Sequence, residues 1–201
     1  MILAMLVIPR AAFAIDDPWA IPLGCTAVAL RRADDGAAPR LATRLALYHD
    51  GDCLTALFLG EDDGVQATYL GHDKPLWKED VVELFLAPER PSRYFEIEVN
   101  PLGTTFDAVI DSPDLGRATM TTDLAWTCQG LFAAVRTTPA SLDVVVRVPF
   151  ASLGARPEGE WRGNFYRIDR GSGDEYSAWQ PTMKTPPDFH VPRAFGGLRF
   201  A

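Results

Sequence analysis

Residues 93–100 read RYFEIEVN and alternate between two kinds of side chain. Its odd and even positions separate into two sets of side chains: Phe95, Ile97 and Val99 in one, and Tyr94, Glu96, Glu98 and Asn100 in the other. Successive side chains of a β-strand point to opposite faces, so the apolar set is expected to pack inward. The two glutamates then point outward or into a concave groove. A slip of one residue would exchange the faces, so this pattern also fixes the register.

The same period of two extends to both sides of this strand. Alternating residues 44–48 and 54–58 are separated by His49-Asp50-Gly51-Asp52. An Asp-Gly pair between two alternating runs is a strong signal for a β-hairpin. Residues 81–86 read VVELFL, which predicts a nearly continuous apolar strand that carries one carboxylate, Glu83, and ends at Pro88.

The rest of the chain predicts more short strands and almost no helix. These strands cover residues 104–111, 131–137, 142–148, 161–169, 176–179 and 198–200. Residues 149–154 have room for one helical turn. About ten short strands with frequent turns are typical of an antiparallel β-sandwich. We therefore predict one all-β, jelly-roll-like domain over residues 1–201.

Composition excludes several classes of function. The chain has 201 residues, 47% of them hydrophobic and 23% charged, which is typical of a globular domain. Its formal net charge of −8 argues against nucleic acid as a partner, because tracking phosphates needs clustered Lys and Arg. Since no stretch approaches the roughly 20 apolar residues that span a bilayer, no membrane partner is expected.

Cysteine usage argues against a disulfide framework and against a zinc site. Cys25, Cys53 and Cys128 cannot all pair within one chain, and none forms a C-x-x-C motif. Three buried thiols are expected.

The first 14 residues suggest a strand rather than a signal peptide. Ala12-Phe13-Ala14 is similar to a cleavage site, but a basic leading segment is missing and Pro9-Arg10 interrupts the apolar run. We favour the cytoplasm over secretion.

The densest group of candidate binding residues is WKEDVVE at residues 77–83. Trp77 follows a proline at the mouth of a loop, and Glu83 interrupts an apolar strand next to the polar face that holds Glu98 and Asn100. An aromatic ring beside fixed carboxylates suits a sugar, which offers C–H groups to the ring and hydroxyls to the acceptors. The alternative is that Trp77 belongs to the core and the glutamates form a solvated face.

The C-terminal third supplies a second aromatic candidate. Pro186-Pro187 stiffens a loop that could present Phe189. Alternatively, Phe189 and Phe195 both close the edge of the sandwich. Trp161 and Trp179 lie in alternating strands, so a structural role is expected for both.

Taken together, these motifs resemble carbohydrate-binding modules of family 9, which belong to the DOMON-like group of β-sandwiches. The resemblance runs from about residue 9 to residue 200. The residues that carry it are Trp77, Asp80 and Glu83, the run Glu98-Val99-Asn100-Pro101-x-Gly103, the step Trp179-x-Pro181, and Pro192-x-x-Phe195-Gly196-x-Leu198. Ile15-Asp16-Asp17 with Trp19 is similar to the opening of the family.

The resemblance implies non-catalytic binding of a glucan- or xylan-type saccharide, or of its end. By position, Trp77 matches the first of two clamping aromatic residues, and Phe189 falls where the second would lie. Glu83 matches an acidic contact and Asn100 a polar one. Glu98 stands where family members carry an arginine, which reverses the charge. A stand-alone module with an oligo- or polysaccharide partner is expected, with no catalytic residues.

Three other functions remain open at this point. Glu96 and Glu98 lie about 6.6–6.8 Å apart along one strand face, which suits a glycoside hydrolase with paired glutamates, but an apolar neighbour that would raise a pKa is missing apart from Tyr94. A protein-interaction module on the same fold is another possibility. Haem binding through Met and His is known in DOMON-like domains. The chain has Met1, Met5, Met120 and Met183 with His49, His72 and His190, but none of them matches a ligating pattern.

No cofactor is expected, and no metal-binding residues are assigned. The resemblance leaves room for structural calcium, although a D-x-D-x-D loop is missing from the sequence. The acidic turn Glu61-Asp62-Asp63 is interpreted as facing solvent.

Overall fold

The computed structural model describes residues 4–25 and 27–201, and within them nearly all regular structure is β-strand. Short 3-10 turns at Leu76–Lys78, Arg117–Thr119, Phe150–Leu153 and Pro192–Ala194 are the helical elements of this part of the chain. The strands are β1 (Met5–Ile8), β2 (Val28–Ala29), β3 (Arg31–Arg32), β4 (Thr43–His49), β5 (Cys53–Glu61), β6 (Val81–Arg90), β7 (Arg93–Val99), β8 (Thr105–Asp111), β9 (Thr121–Asp123), β10 (Phe132–Thr138), β11 (Ser141–Pro149), β12 (Glu160–Asp169), β13 (Glu175–Ala178) and β14 (Gly196–Phe200).

The strands form two sheets, which confirms the predicted sandwich. The larger sheet has the order β1-β14-β12-β6-β7-β8-β9, with β13 paired to β12 and β3 paired to β13. The smaller sheet has the order β10-β11-β5-β4-β2. Neighbouring strands are antiparallel except β1, which pairs with β14 in parallel and so departs from the antiparallel expectation.

The main core lies between the two sheets, and its composition confirms the predicted register of β7. Ile97 and Val99 are buried in this core, and Phe95 packs against it at the margin. Trp161 and Trp179 belong to the same core, as predicted. Trp161 makes edge-to-face contacts with the rings of Phe150 and Phe200, at centroid distances of 5.6 Å and 4.8 Å.

Each sheet also buries part of its outer face. Trp19 and other residues of the N-terminal segment pack on the outer face of the smaller sheet around Leu57 and Val145. The outer face of the larger sheet carries a second core that includes Phe85, Tyr94 and Tyr166. This second core forms one side of the cavity described below.

A buried arginine joins the two sheets through polar contacts. Arg167 on β12 donates to Thr43 Oγ1 (3.0 Å) and to the Glu61 carbonyl (2.6 Å) in the smaller sheet. Those two bonds come from Nη1 of Arg167, and its Nη2 donates to Asp62 (2.9 Å) and Asp169 (2.6 Å). The expectation that residues 61–63 face solvent is therefore wrong for Asp62, which is buried as the partner of this guanidinium.

Other local expectations needed correction. Pro88 does not end β6, which continues to Arg90 with a register shift after Leu86. A bulge leaves Pro88 without a ladder hydrogen bond to break, which is where a sheet tolerates proline. The cysteines are free thiols, but Cys25 and Cys53 are only half-buried. The expected N-terminal strand is confirmed at Met5–Ile8, while residues 1–3 lie outside the described part.

Trp161 and Trp77 provide a direct test of which tryptophan supports the fold. Trp161 is 2% exposed, whereas Trp77 is 42% exposed. Trp161→Ala should lower the free energy of unfolding by about 3–5 kcal/mol, because it leaves a cavity in the main core. Trp77→Ala should lower it by roughly 1 kcal/mol or less. Urea denaturation measures both, and a loss under about 0.5 kcal/mol for Trp161→Ala would contradict the packing.

Candidate functional site

A cavity of about 590 Å³ opens on the outer face of the larger sheet. Its floor is formed by outward-facing residues of β6, β7, β8 and β12. Its walls come from β9, β13 and the loops before β6, on either side of β9, after β12 and before β14. Of the five residues proposed from the sequence, Trp77, Glu83, Glu98 and Phe189 line the cavity.

Trp77 is held at the rim by the residues on either side of it. It lies in the 3-10 turn Leu76–Lys78, and Leu76 is fully buried beneath it. The Trp77 carbonyl accepts a hydrogen bond from Arg170 Nη2 at 2.8 Å. The edge-to-face contact with Phe106 on β8 has a centroid distance of 5.4 Å. The backbone is therefore anchored while much of the indole remains open to solvent, so the interpretation of Trp77 as a core residue does not hold.

Phe189 forms a wall of the cavity and is much less exposed than Trp77. Its ring stacks on Tyr166 at a centroid distance of 4.1 Å and an interplanar angle of 12°, and it is 7% exposed. The Tyr166 hydroxyl donates to the Phe189 carbonyl at 3.0 Å, which fixes this part of the loop. Phe189 thus lines the cavity and also belongs to the second core.

Three glutamates meet at the floor. Glu83 on β6 lies directly opposite Glu98 on β7, and Glu96 is two residues further along the same face of β7. Carboxylate oxygens of the three residues lie within 4.8 Å of one another. Glu98 is 0% exposed, and neither of its oxygens forms a hydrogen bond of normal geometry with another described residue, although the Glu96 carboxyl and the Trp77 backbone lie close to it. One oxygen of Glu83, Oε1, is also without a partner in this part of the chain.

Burial makes these carboxyl groups unusually weak acids. It raises the pKa of Glu96 to about 7 and the pKa values of Glu83 and Glu98 well above the ordinary value for glutamate. Repulsion within the group adds to the effect of burial, because the charge of Glu96 further raises the pKa of Glu83. The sequence-based argument that nothing raises a pKa on this face is therefore wrong.

The cationic side chains at the cavity are committed to other partners. Arg117 forms an ion pair with Asp188 at 3.1 Å, and Arg170 forms one with Asp174 at 2.6 Å. His190 Nε2 lies 3.7 Å from Glu96 Oε1. Burial, followed by the charge of Arg117, lowers the pKa of His190 to about 4, so His190 is neutral at pH 7 and does not balance the glutamates.

Comparison with known proteins places the chain in a family. The model of carbohydrate-binding family 9 matches residues 25–200. The chain belongs to carbohydrate-binding family 9. No curated protein matches it.

Solved structures agree with this family fold. A candidate carbohydrate-binding protein from Bacteroides uniformis ATCC 8492 has a TM-score of 0.73 at 20% identity, over 98% of this chain and 99% of that one. A family 9 module from Caldicellulosiruptor kristjanssonii in complex with glucose has a TM-score of 0.67 at 14% identity, over 98% and 96% of the two chains. A family 9 module from Caldicellulosiruptor kristjanssonii in complex with cellotriose has a TM-score of 0.66 at 14% identity, over 98% of this chain and 93% of that one.

In this family 9 chain, Asn100 lies outside the cavity lining and orders the loops instead. It is fully buried, and its Oδ1 accepts from the backbone N–H groups of Leu102 (3.0 Å) and Thr104 (2.9 Å). Its Nδ2 donates to the Tyr69 carbonyl at 2.9 Å, which ties the β7–β8 turn to the loop before Trp77. These bonds leave one amide hydrogen of Asn100, and the side chain acts in this structure as a support.

Asp80, which the sequence placed in the tryptophan motif, has a similar supporting role. Its carboxylate accepts from the backbone N–H groups of Gln66 and Arg170, each at 2.6 Å. These bonds connect the loop before Trp77 to the end of β12. Burial raises the pKa of Asp80 to about 6.

Several lining residues of this family 9 cavity were not proposed as site residues from the sequence. The additional lining residues include Glu96, Phe106, Arg117, Met120, Arg170, Tyr176 and His190. Period-two alternation placed Glu96 on the same face as Glu98, but the sequence gave it a role only in the glycoside hydrolase alternative. The others lie on separate loops and strands, so only the folded chain brings them together.

Two of the Met and His residues considered for haem, Met120 and His190, line this cavity. The Tyr94 hydroxyl lies between them, 2.8 Å from His190 Nδ1 and 3.9 Å from the Met120 sulfur. Both residues are therefore already in contact with the second core.

Two groups of side chains have the spacing that a cation could use. One is the set of three floor glutamates, and the other is His72, Asp73 and Asp107 beside β8. Asp107 is buried, and both of its carboxylate oxygens lack a hydrogen-bond partner among the described residues.

Among residues 4–25 and 27–201, no helix is long and apolar enough to cross a membrane.

The raised pKa of Glu98 predicts a specific dependence of stability on pH. A carboxyl whose pKa is higher in the folded state stabilises the protein while protonated, and this contribution is lost as the pH rises through the folded pKa. Glu98→Gln removes the charge that must otherwise be buried. It should raise the melting temperature more at about pH 8 than at about pH 5, by about 2–4 °C for each kcal/mol recovered.

Thermal unfolding of both proteins in matched buffers measures this difference. Glu89 lies exposed on β6, so Glu89→Gln is the control and should not show the difference between the two pH values. If Glu98→Gln changes the melting temperature equally at both pH values, Glu98 is not a buried carboxyl group with a raised pKa.

Proposed function

We propose that this chain is a non-catalytic module that binds an oligo- or polysaccharide, with one sugar of a glucan- or xylan-type chain seated in the cavity. The observation that carries the proposal is the exposed indole of Trp77 above a floor of carboxylates. A pyranose can place its C–H face against the indole while its hydroxyls donate to Glu83 and Glu96. Membership of carbohydrate-binding family 9 supports this use of the cavity. The similar modules bound to glucose and cellotriose support the glucan type.

Binding of this kind is expected to be weak to moderate. A few hydrogen bonds to charged groups contribute about 1.5–3 kcal/mol each, and the desolvation of sugar hydroxyls and carboxylates offsets part of that gain. Stacking on Trp77 adds apolar contact. Together these terms correspond to dissociation constants of roughly millimolar to micromolar.

Glycoside hydrolysis is a second candidate, because the floor has the raised pKa that a general acid needs. Hydrolysis also requires a second carboxylate that stays ionised as nucleophile or base. Burial raises the pKa of each of the three glutamates, Glu83, Glu96 and Glu98. Because His190 is neutral, it does not keep one of these carboxylates ionised. The missing division between acid and base favours binding over catalysis.

Replacement of Trp77 tests the proposal. Trp77→Ala should weaken binding of cellotriose or xylotriose at least tenfold, because the sugar loses its stacking surface. The melting temperature should stay within a few degrees of the parent protein, because the side chain is largely outside the core. Isothermal titration calorimetry measures the affinity, and chromatography of the recovered saccharide shows whether it has been cleaved.

Trp19→Ala is the matched control, since Trp19 packs on the outer face of the smaller sheet and its ring lies 4.6 Å from the guanidinium carbon of Arg136. This variant should bind saccharide as the parent does. Unchanged binding by Trp77→Ala would contradict the proposed site. If the parent protein cleaves the saccharide and Glu83→Gln does not, the chain is a hydrolase and the binding proposal is wrong.

A further inference from the structure

The floor of the cavity buries three carboxyl groups, and the two arginines that line the cavity are paired with other residues. Five carboxyl groups line the cavity in all, and the partner of each arginine is an aspartate. Glu98 is fully buried, neither of its oxygens forms a hydrogen bond of normal geometry with another described residue, and Glu83 has one unpartnered oxygen in this part of the chain. Sugar hydroxyls can donate hydrogen bonds to these oxygens, but they bring no positive charge. A buried carboxylate is costly unless it is both hydrogen-bonded and paired.

We propose, building on the saccharide site above, that the preferred ligand is an amino sugar of the glucosamine type, whose ammonium group binds at Glu83 and Glu96 above Glu98. The ammonium group supplies three N–H donors and a full positive charge. It can therefore donate to Glu83, whose Oε1 has no partner among the described residues, and to Glu96, while its charge compensates an ionised floor carboxylate. Charge-assisted hydrogen bonds of this kind are about twice as strong as neutral ones.

The geometry fits an organic cation in two further respects. Glu83 and Glu96 keep a small exposed fraction toward the cavity, whereas Glu98 lies beneath them and acts through its charge. The oxygens of the three residues fall within 4.8 Å of one another, so one nitrogen can be near all of them.

The walls also favour an amino sugar over a metal ion. Trp77, Phe106, Tyr176 and Phe189 line the same cavity as the glutamates. Aromatic faces attract both sugar C–H groups and a nearby cation. A bare metal ion would use the carboxylates but would leave the aromatic walls and most of the 590 Å³ empty.

Three β-1,4-linked trimers of equal length isolate the ammonium group. They are cellotriose, the glucosamine trimer and the N-acetylglucosamine trimer, which differ only at carbon 2. Calorimetry at about pH 6.5, where the amine is protonated, should show the glucosamine trimer binding at least tenfold more tightly than the other two. The preference should shrink as sodium chloride is added, because the floor interaction is ionic.

A second readout is the exchange of protons on binding. The floor holds protons in the empty state, and an arriving ammonium should release one of them to the buffer. The neighbours that face the floor, Tyr94, His190, Arg117, Arg170 and Asp188, are the same for all three trimers. Calorimetry in buffers of different ionisation enthalpy should therefore detect proton release with the glucosamine trimer and much less with cellotriose.

Variants assign the effect to the floor. Glu96→Gln should reduce the preference for the glucosamine trimer over cellotriose to less than threefold, while Glu89→Gln should keep it. Equal or weaker binding of the glucosamine trimer by the parent protein overturns the inference, and it does so even if Glu96→Gln fails to fold.

The outcomes also separate this inference from the proposed function. Cellotriose binding without a preference for the glucosamine trimer leaves the saccharide module in place and removes the amino-sugar specificity. Failure of all three trimers to bind, in EDTA and in calcium chloride alike, removes both proposals. Binding that appears only with calcium overturns the inference, because a metal ion then occupies the carboxylates.

Discussion

The pairing of β6 with β7 places Glu83 directly opposite Glu98, and the character of the cavity depends on this pair. The register is imposed by the other face of the same strands, where Ile97 and Val99 pack into the main core. Shifting the strand by one residue would move these apolar side chains out of the core and the glutamates into it. Like charges directly opposite each other destabilise a sheet, so the protein tolerates this pair only because a much larger apolar burial fixes it.

The cavity combines this fixed floor with walls that come from distant parts of the chain. Buried Asn100 and Asp80 hold the loop that presents Trp77, and the stack on Tyr166 holds Phe189. The loops thus have ordered supports, and the cavity has its shape without a bound ligand. Preorganisation of this kind lowers the entropic cost of binding and suits a module that recognises a saccharide through few contacts.

The sequence predicted the strands and the register well, because period-two alternation reports directly on which face is buried. It also indicated Trp77 and Glu83 as members of one site. It did not predict the burial of Asp62, because its partner Arg167 lies more than 100 residues away and only folding brings the two together. The sequence placed Asn100 at the ligand, whereas the structure places it outside the cavity lining. Its hydrogen bond to the loop that holds Tyr69 cannot be predicted from residue spacing. The raised pKa values of the glutamates depend on loops that cover the sheet, and those loops have no periodic signal.

In the proposed site, the floor glutamates are buried acids that release a proton when a cation binds. Side-chain carboxyl ¹³C NMR titration of Glu83, Glu96 and Glu98, with and without the glucosamine trimer, tests it most directly. In the free protein, Glu96 should titrate at about pH 7 and the other two glutamates well above their ordinary range, and the trimer should lower these transitions. Titration of all three near the ordinary value of about 4.3, with no change on adding the trimer, would contradict this expectation.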